Sequence, residues 1–117
     1  MSRFKIITLL LSFPIALQAH AFLDYANPAV GSSNKKSPAE VRITFSERIE
    51  PTLSSIKVFD SNGKEVDKGN QKGDAENKKI LLIGVPLLTQ GSYKVVWRAV
   101  SVDTHVTNGE FSFQIKP

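Results

Sequence analysis

The chain has 117 residues, no cysteine and a formal net charge of +4, a length that suits one domain. The missing cysteines exclude a disulfide scaffold, a thiolate zinc site and a thiol enzyme. Setting aside Arg3 and Lys5, which belong to the leader described next, lowers the charge to +2, too weak and dispersed for a nucleic-acid surface.

Arg3 and Lys5 precede an apolar run from Ile6 to Leu17, broken only by Thr8, Ser12 and Pro14, and small residues follow at Ala19 and Ala21. This is the layout of a secretory signal peptide, and the run is shorter than the ~20 apolar residues a bilayer span needs. We expect residues 1–19 to be a cleaved signal and 20–117 to be the mature domain. Two arguments disagree on the cut. "AHA" at 19–21 fits the A-x-A rule and favours a cut after Ala21. A cut after Ala19 instead makes His20 the first residue and gives it a free α-amine.

The mature sequence then alternates with period two, with no helical stripe. "AFLDYANP" (21–28) predicts a short first strand that stops at Pro28. "EVRITFS" (40–46) puts Val41, Ile43 and Phe45 on one face. "SIKVFD" (55–60), the turn "SNG" and the return "KEV" predict a hairpin over 55–66. "DKGNQKGDAEN" (67–77) has two glycines and no large apolar residue, and reads as a mobile loop. "KILLIGV" (79–85) is continuously apolar, as in a buried strand. "GSYKVVWRAVS" (91–101) alternates Tyr93, Val95, Trp97 and Ala99, and "GEFSFQI" (109–115) alternates Phe111, Phe113 and Ile115. Trp97 and the phenylalanines are core residues on this reading. About seven short strands joined by turns predict an all-β sandwich or Greek-key barrel.

The chemistry-bearing residues are few. "SVDTH" (101–105) holds Asp103 and His105 two apart, and an extended chain would point both to one side. The other histidine is His20. If it is the first residue, its α-amine, with an ordinary pKa of ~7.7–8.0, gives up its proton readily to a divalent metal. Amine and imidazole of His20, imidazole of His105 and an oxygen of Asp103 make a nitrogen- and oxygen-rich set that suits Cu(II), the tightest-binding divalent ion. This chemistry selects the cut after Ala19. Hydrolase signatures are absent: no nucleophile elbow, no glycine-rich phosphate loop and no H-E-x-x-H.

At these residues the chain resembles the CopC family of periplasmic copper-resistance proteins. The likeness runs from "HAFLDYANPAVGS" through "SPAEVRITFSERIE" to "GSYKVVWRAVSVDTHVTNGEFSFQI", and so covers 20–117. It implies an immunoglobulin-like, seven-stranded Greek-key β-sandwich or barrel. It also implies a periplasmic, non-enzymatic role in copper resistance or homeostasis. The implied Cu(II) ligands are His20, Asp103 and His105. Glu47, the acid of "FSE", lies where some members use a further oxygen, and it is kept outside the expected set. An inner-membrane partner of CopD type and a monomeric state go with the resemblance. Some members add a methionine-rich Cu(I) segment, whereas the only methionine here is Met1. The expectation is therefore one Cu(II) site and no Cu(I) site.

Two other functions fit parts of the pattern. An N-terminal histidine paired with a second histidine also occurs in lytic polysaccharide monooxygenases. The acid beside this site and the short chain leave little room for a substrate there. A metal-free immunoglobulin-like binding module is permitted by the fold alone.

Overall fold

The computed structural model describes residues 20–117; the expected signal segment, 1–19, lies outside the described residues. Eight strands and no helix make up this part of the chain: β1 Leu23–Asn27, β2 Ser33–Asn34, β3 Glu40–Phe45, β4 Ser55–Phe59, β5 Lys72–Gly73, β6 Ile80–Gly84, β7 Gly91–Val100 and β8 Val106–Ile115. They form two four-stranded sheets, ordered β1-β3-β6-β5 and β2-β8-β7-β4. All pairings are antiparallel except β2 with β8. The all-β sandwich expected from the alternation is thus present, with β2 and β5 as two-residue additions.

The alternation does what period two requires. Val41, Ile43 and Phe45 from one sheet face Val95, Trp97, Ala99, Phe111 and Phe113 from the other, all buried in a single core. Phe45 and Trp97 meet edge to face, with ring centroids 5.3 Å apart, an arrangement that suits the aromatic quadrupoles. Trp97 pairs across the ladder with Gly109, and a Cβ there would run into the indole. At the start of β7 the Tyr93 hydroxyl donates to the Thr89 carbonyl at 2.6 Å, the corner device of immunoglobulin-like sandwiches. The chain turns out of β1 through a cis Asn27–Pro28 peptide.

The 55–66 hairpin is present: its return bridges Glu65 to Phe59 and the Val66 N–H donates to the Val58 carbonyl at 2.8 Å, without forming a strand of its own. One expectation needs correction: 67–77, expected as a mobile loop, is a strap bonded to both sheets. It contains β5, which pairs with β6, and its side chains bond the edge of β4. Asp67 Oδ2 accepts the Val58 N–H at 2.8 Å, and Gln71 Oε1 accepts the Ile56 N–H at 3.1 Å while its amide donates to the Ser54 carbonyl. On the β6 side, Asn70 Oδ1 accepts the Gly84 N–H at 2.9 Å. The strap explains why Ile80 to Ile83 are all buried. Leu81 and Ile83 face the core, while Leu82 lies on the outer face beside its ladder partners Arg42 and Lys72.

Candidate metal centre

The ladder of β7 and β8 ends at Val100 and Val106, leaving 101–105 as the connecting turn. The Ser101 N–H donates to the His105 carbonyl at 2.9 Å, and the Thr104 N–H to the Ser101 carbonyl at 2.9 Å. Thr104 takes φ 71°, a left-handed conformation that β-branched residues seldom adopt. The turn rests against the segment after β3: Val102 N–H donates to the Arg48 carbonyl, and Glu50 N–H to the Val100 carbonyl.

This turn brings Asp103 and His105 together, as expected, but for a different reason. The chain between them is not extended; it bends, and the side chains meet across the bend. Asp103 Oδ2 lies 3.0 Å from His105 Nδ1. Its other oxygen accepts the hydroxyl of Ser101, a residue with no exposed surface. The Ser101 hydroxyl first, and the His105 ring second, hold the Asp103 carboxyl below its ordinary carboxylate range. Asp103 is therefore ionised at neutral pH and can only accept. The proton of that contact sits on His105 Nδ1, which leaves Nε2 as the ring's lone-pair donor.

His20 enters from the other end of the described chain. Its ring centroid is 4.9 Å from that of His105, tilted by 46°, and 5.8 Å from that of Phe22. Its main chain is tied on both sides. Ser46, just beyond β3, lies 3.2 Å from the His20 carbonyl through its hydroxyl. Thr107, on β8, donates to the carbonyl of the buried Ala21. Thus β1, β3 and β8 converge at one end of the sandwich and hold the two histidines in contact. Both imidazoles are only part-buried. Glu47 is exposed beside Ser46.

The ring separation is compatible with two imidazoles on one ion, since ~2 Å metal–nitrogen bonds leave such centroids roughly 4.5–6.5 Å apart. The donors do not yet converge: among the described residues, no group of three or more His, Asp or Glu is arranged to hold a metal as it stands. Each oxygen of Asp103 accepts one hydrogen bond within the turn, which leaves lone pairs on both. In this structure the contact of Asp103 with His105 holds the ring and sets which ring nitrogen faces outward. Ser101 and Ser46 escaped the sequence reading. Ser101, two residues before an acid in a turn, carries a local signal for such a bond; Ser46 carries none.

Comparison with known proteins gives a consistent result. A model of the CopC domain matches residues 23–116. Copper transport protein CutJ of Bacillus subtilis is 35% identical over 98 residues, which is 83% of this chain but 18% of that protein. The chain therefore spans under a fifth of that relative. The crystal structure of CopC from Methylosinus trichosporium OB3b has a TM-score of 0.79 and 37% identity, covering 84% of this chain and 95% of that one. PcoC, a methionine-rich copper resistance protein from Escherichia coli, has a TM-score of 0.75 and 28% identity, covering 84% and 100%.

Proposed function

We propose that this chain, which belongs to the CopC family, is a periplasmic protein binding one Cu(II) ion, for resistance or homeostasis. Copper is cargo here, carried or sequestered rather than used in a reaction. The observation that carries the reading is the contact of the His20 and His105 rings, 4.9 Å between centroids, at an accessible end of the sandwich. These are the only two histidines of the chain.

Each residue has a distinct part. With the signal cut after Ala19, His20 offers its α-amine and its imidazole as a chelating pair. His105 offers Nε2, because Nδ1 is turned to Asp103. Asp103 adds negative charge beside the cation and completes the donor set, in addition to orienting His105. Nitrogen and oxygen donors of this kind favour Cu(II). Residues 23–116 contain no methionine, in contrast to the methionine-rich PcoC. Without thioether or thiolate ligands the mature chain lacks the soft donors that select Cu(I). It therefore acts as a Cu(II) carrier without a change of oxidation state. A membrane partner of CopD type, to which the monomeric domain hands its copper, agrees with the place of a matching module inside the much longer Bacillus transport protein.

Two measurements test this. The intact mass of the secreted protein should correspond to a chain beginning at His20; a chain beginning at Phe22 would remove half the site. The secreted protein loaded with one equivalent of Cu(II) should give an EPR spectrum with nitrogen hyperfine structure, and His105→Ala should lose part of it. Identical spectra from the two proteins would exclude His105 as a ligand. Tight Cu(I) binding against a competing chelator would overturn the single-oxidation-state reading.

A further inference from the structure

The β1–β3 ladder gives His20 little support. Its first pair is Leu23 with Phe45, and the register shifts immediately afterwards, between Leu23 and Tyr25. A chain end beyond the last ladder pair frays unless something ties it down. Here one side chain extends the pairing. The Ser46 hydroxyl accepts the Phe22 N–H at 3.0 Å and donates to the His20 carbonyl at 3.2 Å. The Ser46 N–H meanwhile donates to the Phe22 carbonyl at 2.8 Å. A single serine thus grips both peptides flanking Ala21 and sets the direction in which residue 20 leaves the sheet. Its anchorage is rigid, since it follows Phe45, which is fully buried against Trp97.

We propose that Ser46 is a positioning residue for the metal centre: its hydroxyl places the His20 imidazole over His105 before any metal arrives. The proposal rests on the copper reading above for its consequence, but not for its geometry. Chelation by His20 alone needs only that residue. Bringing in His105 needs the chain end held, and preorganisation of that kind raises affinity by lowering the ordering cost of binding. The neighbouring Glu47, which the sequence singled out, makes no such contact; the serine of "FSE" does.

The test compares Ser46→Ala with Ser46→Thr, which keeps the hydroxyl at an exposed position. In the metal-free secreted protein, nuclear Overhauser contacts between the His20 and His105 rings should be present in the wild type. They should be lost in Ser46→Ala and kept in Ser46→Thr. With Cu(II), competition titration should show about a tenfold weaker affinity for Ser46→Ala, as for other residues that orient ligands, and near wild-type affinity for Ser46→Thr. Retained ring contacts and affinity in Ser46→Ala would overturn the proposal. Equal losses in both variants would overturn it too, because the hydroxyl would not be the cause. If the wild type bound no nitrogen-coordinated Cu(II), the copper reading would fall, and the metal-free ring contacts would still decide the role of Ser46.

Discussion

Two polar regions of this molecule use the same device to opposite ends. The strap at 67–77 and the end of the sandwich carrying His20 and His105 are both fixed by side chains that bond main-chain groups. In the strap, Asp67, Asn70 and Gln71 serve as substitutes for a missing strand, satisfying N–H groups of β4 and β6. At the other region the fixing is done by small hydroxyls: Ser46 on the His20 carbonyl, Thr107 on the Ala21 carbonyl, and Ser101 on the His105 carbonyl as well as on Asp103. The imidazoles are held in place by them and kept at the surface. The difference teaches where chemistry can reside: a polar side chain that closes a sheet edge is consumed by the fold, whereas one held by its neighbours can still meet a ligand.

The largest effect expected from this division belongs to His20. Copper that binds only the folded protein stabilises it by about 2.7 kcal/mol at a hundredfold excess over Kd, which for a domain of this size raises Tm by roughly 10 °C or more. His20→Ala should lose that rise, while variants of the strap should keep it. Equal rises in wild type and His20→Ala, followed by calorimetry, would mean that copper binds elsewhere. Next comes Asp103→Asn. It keeps the size of the side chain but removes its charge and one of its two acceptors, so the Ser101 hydroxyl and the His105 ring can no longer each donate to an oxygen of their own. Cu(II) affinity should fall about 10–100-fold, read by competition titration, with little change in the metal-free Tm.

The strap supplies the reverse case. Gln71→Ala removes the acceptor of the Ile56 N–H and the donor to the Ser54 carbonyl. Unfolding in urea should show a loss of about 1–2 kcal/mol, with Cu(II) affinity unchanged. A copper effect here would mean that the two regions are coupled and that the division drawn above is wrong.

The strands were legible because a sandwich buries one face of each, and that prints an alternation on the sequence. Tyr93, Val95, Trp97 and Ala99 illustrate it, as do Phe111, Phe113 and Ile115. Residue types also pointed to His20, Asp103 and His105, since histidines are so few here. What stayed hidden has no periodicity. The strap reads as a loop because glycines and polar residues look alike whether solvated or bonded to a strand edge. The turn at Thr104 was invisible, since threonine favours extended backbone and only the closed 101–105 turn imposes φ 71°. Ser46 is a small, common residue, and nothing in its spacing distinguishes a clamp from a surface hydroxyl; Ser101 offers only the local hint of an acid two residues on.

The smallest effect tests the strap's electrostatics. Asp74 accepts the N–H groups of Glu76 and Asn77 through Oδ1 and lies 2.9 Å from Arg42 Nη1 through Oδ2. The Glu76 N–H, followed by the Arg42 guanidinium, holds its carboxyl below the ordinary value of 3.8. A depressed carboxyl stabilises the folded state above its unfolded pKa and ceases to as the pH falls through its lower folded value. Asp74→Asn can keep the Oδ1 acceptor and removes the charge. Because this pair is near the surface, the variant should melt at most a few degrees below wild type at neutral pH. That gap should shrink in high salt and close as the pH drops well below 3.8. A gap that persisted in acid would assign the strap's hold at Asp74 to hydrogen-bond geometry alone, and would make the two regions more alike than their charges suggest.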